Sequence, residues 1–142
     1  MEAALLRQAM RADSDDWMAQ AKRDLEGAEW AIQGGYYEWA CFMCQQAAEK
    51  ALKAVYVARG AEVWGHSIRH MLRGLQSEID PADYPSLEAC ARDLDTYYIP
   101  TRYPDTQNGG VPYETYQSTD AHHALTCAQR VLRLCDDLLA RS

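Results

Sequence analysis

No stretch of this chain approaches the roughly 18 consecutive apolar residues that a membrane-crossing helix needs. The leading MEAALLRQAMRAD also lacks the apolar core of a signal peptide. A cytoplasmic protein with no membrane partner is therefore expected. Positive charge is scarce: 14 Lys and Arg stand against 21 Asp and Glu, for a net charge of −7. That balance excludes general, charge-driven nucleic-acid binding, offers nothing for DNA-specific recognition, and leaves room for a small local basic pocket. The five cysteines are an odd number, and Cys41, Cys44, Cys90, Cys127 and Cys135 all fall at core-facing helical positions. Buried, reduced thiols are expected rather than a disulfide framework. Cys41-x-x-Cys44 has no preceding strand to present it at a helix N-terminus, so neither a redox pair nor a zinc site is read there. A Ser-His-Asp triad, a phosphate-cradling glycine loop and a dinucleotide fingerprint are missing too. So are internal repeats, low-complexity tracts and any segment that alternates convincingly as a strand. Residue chemistry alone yields no enzyme.

What is present is helical. At 142 residues, 48% of them hydrophobic, the chain fits one domain, 1–142, with a real core. The stretch from Ala40 to Val55 organises it. Ala40, Cys44, Ala47, Ala51, Val55 and Ala58 recur at steps of three and four, and Met43, Ala48, Leu52 and Ala54 widen that face. A helix so broadly apolar packs on more than one side, and the second side meets either its own bundle or another subunit, the subunit being the favoured reading. Ser14-Asp15-Asp16 is read as a helix start; residues 1–13 are left undecided. Trp17, Ala21, Leu25, Ala28 and Ile32 form the stripe of that first helix, which Gly34-Gly35 ends. After Gly60 a third helix begins at His66-Ser67 with Ile68, Met71, Leu72, Leu75 and Ile79. Ser86 is read as the cap of a fourth, carrying Leu87, Cys90, Ala91, Leu94 and Tyr98. Ala121, Leu125, Ala128, Leu132, Cys135 and Leu139 mark the last. The expected fold is all-α, an antiparallel up-and-down bundle of four to five helices.

Chemistry is expected in the only long connection, Ile99 to Pro112. Its three prolines and two glycines forbid helix, and irregular loops longer than about 12 residues tend to be functional or disordered. An arginine fork can clasp a phosphate and a tyrosine can stack a base, which singles out Arg102 and Tyr103. Alternatively, Arg102 pairs with Asp105 while the tyrosines plug the end of the bundle. One arginine–phosphate contact contributes roughly 1.5–3 kcal/mol and one stacked base about 1–3 kcal/mol. Ordering a ligand costs at least ~4 kcal/mol, so two copies of the loop facing each other across a two-fold axis would bind far better than one. His66 and His70 have metal-ligand spacing but lack the glutamate of the zinc-protease signature and have Arg69 between them. His66 is read instead as a cap or as a polar ring projecting from the loop end. His122 and His123 are read as surface residues. Glu49 and Lys53 form either a simple i, i+4 pair or a phosphate site contributed by Lys53.

The DLEGA run (24–28), GGYYEWACFMCQQAAEKALKA (34–54), His66-Ser67 and TRYPD (101–105) follow one another in the order of a known family. Together, over roughly residues 15 to 140, they resemble the HEPN family, the higher-eukaryote and prokaryote nucleotide-binding domain. The resemblance implies a helical homodimer, often encoded beside or fused to a minimal nucleotidyltransferase, with ribonuclease toxins among its relatives. Those ribonucleases carry Arg, four to six residues, then His. Arg102 has no histidine in that range, whereas Arg59 and His66 fit the spacing but flank the turn after the central helix. The expected function is nucleotide or RNA binding with a nucleotidyltransferase partner, in a toxin–antitoxin-like or defence module. The site residues are Arg102, Tyr103, Asp105, His66 and Lys53, with no metal and no cofactor. Two alternatives stand beside it: a metal-independent endoribonuclease using Arg102 and His66, and a helical dimerisation module without ligand.

Overall fold

Glycine pairs and polar caps divide the chain into helices much as their chemistry dictates. The computed structural model describes residues 1–104 and 110–141. Helix α1 (Glu2–Gln33) ends at Gly34, and Gly35 takes a φ of +80°, with Tyr36 N–H bonded to Ala31 O and Gly35 N–H to Ile32 O. This double bond satisfies carbonyls that a helix end leaves without partners. Helix α2 (Tyr37–Ala58) closes in the same way around Gly60, at φ +68°. Then come α3 (Ile68–Gly74), a single 3-10 turn (Gln76–Glu78), α4 (Tyr84–Asp95), the four-residue α5 (Pro112–Thr115) and α6 (Ser118–Ala140). Gln117 and Asp120 form a reciprocal capping box at the start of α6. The described residues contain no strand, and the expected all-helical bundle is what forms. None of these helices is long and apolar enough to cross a membrane.

The register of the first two helices is visible in their contacts. Ser14 meets Ala54, Asp24 meets Lys50, and Gly27 faces Met43. Each step forward on α1 is a step back on α2, so the pair is antiparallel. Ala21 and Ala28 on α1, Ala40, Ala47, Ala48, Ala51 and Ala54 on α2, and Ala121, Ala124 and Ala128 on α6 are all fully buried. Small side chains let these backbones approach closely, and Leu52, Val55, Val131 and Leu138 fill the remaining space. All five cysteines are free and buried. Burial pushes the Cys41 thiol up from 9.0 to about 12, and raises Cys44 and Cys135 as well. They are packing thiols.

Three expectations need correction. Ser14 does not start a helix: α1 runs through it, and its buried Oγ–H donates to Ala54 O at 2.8 Å. A tertiary carbonyl thus takes the hydroxyl that local preference would spend on a cap. Ser86 lies inside α4 and bonds back to Asp83 O at 3.0 Å, while Asp83 occupies the cap position. Finally, the second apolar side of α2 is covered by its own chain, because α6, α3, α4 and α5 pack on it as α1 does on the first. Most of the width of that face is spent within one bundle, with Met43 and Ala58 partly exposed.

Candidate functional site at the His66–Tyr98–Arg102 corner

The site begins with a turn that is fastened from inside. After α4, Tyr97 packs into the core edge-on to Tyr116 at 6.1 Å. Thr101 is buried and donates its hydroxyl to Tyr97 O at 2.7 Å. With residues 97 and 101 pointing inward, Tyr98 and Arg102 are carried on the outer side of the same turn. Arg102 Nε donates to Tyr98 O at 2.9 Å. Its guanidinium carbon lies 4.5 Å from the Phe42 ring centre, 4.8 Å from that of Tyr98 and 5.3 Å from that of Tyr103. Such a cation sits on the negative faces of the rings.

A second loop delivers His66 to the same tyrosine. Its imidazole stacks on the Tyr98 ring at 4.3 Å between centres and 20° between planes. Asp95, the last residue of α4, fixes this loop. Its carboxylate accepts from Ile68 N–H at 2.6 Å, Arg69 N–H at 3.2 Å and Ser67 Oγ–H at 3.0 Å. An acid on the open N–H groups of a helix start is favourable both as a hydrogen-bond acceptor and against the dipole. Ser67 itself caps α3 by accepting from His70 N–H. His66 is therefore the projecting ring, not the cap.

The polar edge of α2 completes the corner. Glu49, only 5% exposed, accepts from Lys53 at 3.0 Å, faces His66 Nδ1 at 3.0 Å and accepts from Gln45 at 3.2 Å. Gln45 also donates to His66 O at 3.1 Å. Three such partners, spread over both oxygens, offset much of the cost of burying the carboxylate. So the Glu49–Lys53 pair exists as a helical neighbour pair, and Lys53 still reaches the site, with its ammonium 5.8 Å from the Trp17 ring centre.

Two concavities flank Tyr98. Trp17, Lys53, Tyr56, Trp64 and His66 line one of about 430 Å³; Tyr36, Trp39, Arg102, Pro104 and Tyr113 line another of about 530 Å³. Both lie in the size range of small-ligand pockets. Trp64 and Tyr113 are among the most exposed aromatic side chains, at 83% and 70%. Flat rings beside cations suit stacked bases and phosphates.

Of the expected residues, His66, Lys53, Arg102 and Tyr103 converge here. Asp105 lies outside the described residues. Tyr98, which joins the two halves, was missed as a site residue; its spacing of four from Arg102 was the available signal. Glu49 is expected only as the i, i+4 partner of Lys53, and its contact with His66, like that of Gln45, comes from the tertiary structure. Arg59 does not join His66: it forms a two-pronged pair with Glu78, one prong at 2.7 Å.

An all-helical bundle with a cation–aromatic corner along the polar edge of its central helix is thus the class of protein the geometry defines. The HEPN domain model matches residues 14–138, and the chain belongs to that family. Among solved structures, TT1696 of Thermus thermophilus is 43% identical, with a TM-score of 0.81 over 88% of this chain and 97% of its own. ST0689, an archaeal HEPN homologue, is 46% identical with a TM-score of 0.73, over 87% and 95%. A HEPN domain protein of Thermotoga maritima is 38% identical with a TM-score of 0.69, over 89% and 99%. A candidate toxin of Methanocaldococcus jannaschii, MJ1304, shares 28% identity over 87% of this chain and 86% of its own length. The family motifs meet in space: Asp24 of DLEGA pairs with Lys50 of the QQAAEKALKA segment at 2.5 Å.

Proposed function

We propose that this protein binds a nucleotide or an RNA end at the His66–Tyr98–Arg102 corner, as part of a toxin–antitoxin-like module with a minimal nucleotidyltransferase partner. The observation that carries the reading is the meeting of Arg102 and His66 on one tyrosine ring, between two concavities edged by aromatic side chains. Phosphate would take Arg102, and bases would stack on exposed rings such as Trp64, Trp39 or Tyr113. Lys53 borders the concavity on the His66 side as a hydrogen-bond donor, its charge balanced by Glu49. Relatedness to a candidate toxin supports the module, and a homodimer that pairs two such corners would raise affinity. The test is titration of the full chain with ATP and with a labelled 5′-phosphorylated RNA oligonucleotide. Arg102→Ala should weaken binding by about 10- to 150-fold, the equivalent of a lost charge-assisted contact of roughly 1.5–3 kcal/mol. Binding unchanged by that substitution, or absent for both probes, would sink the proposal.

A second reading is favoured by one detail. Glu49 faces His66 Nδ1 from inside, which leaves the other ring nitrogen of a half-exposed imidazole for substrate. A carboxylate-oriented histidine beside an arginine is the equipment of metal-independent RNA cleavage: the base takes the 2′-hydroxyl proton and the arginine meets the phosphate charge. RNA cleavage in chelator, lost in His66→Ala and Arg102→Ala, would establish it. RNA left intact at high protein concentration would eliminate it and leave the binding reading standing.

A further inference from the structure

The seam between α4 and α6 holds a second cluster of reactive side chains that shares no residue with the corner above. Facing pairs along it are Ser86–Arg130, Cys90–Cys127 and Asp93–His123, so the two helices run antiparallel. The spacings Cys90-x-x-Asp93 and His123-x-x-x-Cys127 each put two donors on one helical face. His123 Nε2 lies 2.7 Å from Asp93 Oδ2 and 3.6 Å from Cys127 Sγ, and the donor atoms of all three residues lie within 4.8 Å of one another.

Both neighbours converge on the same ring nitrogen. A nucleophile–base–orienter relay needs them on opposite nitrogens, so this is not a catalytic triad. Hydrogen bonding serves the two unequally, since a hydrogen directed at Asp93 reaches the Cys127 sulfur only as a weak, shared contact. A ring nitrogen carries either one hydrogen or one lone pair. If it donates to Asp93, the Cys127 thiol faces a nitrogen with nothing to accept its proton. A single cation among the three atoms satisfies all of them.

We propose that Asp93, His123 and Cys127 form a binding site for a divalent transition-metal ion, with zinc the ion that this oxygen–nitrogen–sulfur set fits best. Bonds of roughly 2.0–2.3 Å at tetrahedral angles place such donors about 3.3–3.7 Å apart. The nitrogen–sulfur spacing already meets that. The Asp93–His123 contact must open by about half an ångström, which half-exposed side chains on two helix surfaces can do by small χ rotations. Asp93 and His123 are 48% and 51% exposed while Cys127 is buried, so an ion arriving from solvent meets carboxylate and imidazole first and then seats on sulfur. Cys127 releases its proton on binding. Burial and the neighbouring Cys90 hold the Cys127 thiol in its protonated form, so the ion must displace that proton; Arg130, whose Nη1 lies 3.7 Å from Cys90 Sγ, acts in the opposite direction. Three protein ligands leave a fourth position for water, the arrangement of reactive rather than purely structural zinc sites.

The experiment titrates the reduced full chain with Co²⁺ alone, followed by competition with Zn²⁺. One equivalent should produce the thiolate-to-cobalt charge-transfer band and the ligand-field bands of tetrahedral cobalt, and Zn²⁺ should abolish both. Cys127→Ser should remove the charge-transfer band. His123→Ala, at a half-exposed position that leaves the fold intact by circular dichroism, should weaken binding by about 10-fold or more. Cys41→Ser should change nothing. Absence of a charge-transfer band at one equivalent, or bands that persist unweakened in His123→Ala, would overturn the site.

Discussion

The two edges of α2 are built from opposite materials. Towards α1 and α6 it presents alanines, cysteines, Leu52 and Val55, all without solvent contact and held by shape alone. Towards the His66 loop it presents the buried Gln45 and Glu49 and the partly buried Lys53, all held by directed hydrogen bonds. The first edge is non-directional: it sets how closely helices approach and tolerates rearrangement among apolar groups of similar volume. The second is directional, and both oxygens of Glu49 have partners. Stability should therefore concentrate on one edge and ligand response on the other, although the two share a helix.

Substitutions can break that division. Leu52→Ala should have the largest effect, costing about 2–5 kcal/mol of stability by denaturant titration. Ligand affinity, measured below the transition, should stay within a few-fold of the original. Arg102→Ala should do the reverse: binding falls as proposed above, while the denaturant midpoint barely moves, because the guanidinium lies over rings at the surface. A large loss of stability in Arg102→Ala would show that the corner is structural. Gly74→Ala probes the ground between. A methyl group there would overlap the Tyr56 hydroxyl, which donates to Met71 O at 2.9 Å. The crowding should cost about 1–3 kcal/mol. Tyr56→Phe in the same chain removes the clashing hydroxyl and should recover most of the loss.

The most gradual effect is one of pH, and it belongs to the apolar edge. Burial raises the Cys41 thiol from 9.0 to about 12. Between those values the unfolded chain has released a proton that the native state keeps. The native state binds more protons there, so stability falls as pH rises. The contribution is intact below pH 9 and is lost on approach to pH 12, with a slope of at most about 1.4 kcal/mol per pH unit for one thiol. Denaturant midpoints should be flat from pH 7 to 8.5 and decline above, and Cys41→Ala should lessen the decline. An equal decline in that variant would assign it to other groups, such as Tyr97, which burial also raises.

Much of the fold was legible because it depends on neighbours a few residues apart. Gly34-Gly35 announced a left-handed turn, and Gly35 supplies one. The stripes of α2 and α6 announced a core, and most of those residues are in it, with Met43, Ala58, Leu125 and Leu139 only partly buried at its margin. Ser14 and Ser86 misled for a physical reason. A serine hydroxyl bonds whichever acceptor is nearest, and for Ser14 that is a carbonyl of another helix, 40 positions away. The site was half legible. Arg102, His66 and Lys53 were singled out by type and place, yet Tyr98 was passed over although its stacking on His66 joins the parts.

Periodicity, glycine placement and charge by themselves determined that this protein is a helical bundle with a loop worth inspecting. Such signals act along the chain over one or two turns, where spacing alone decides which side chains share a face. Only tertiary packing decided that α2 spends both apolar sides within its own bundle, that Glu49 orients His66, and that Asp93 meets His123 and Cys127. Those partners are brought together by the crossing of helices, and no local pattern encodes which residues of two distant segments will stand opposite each other.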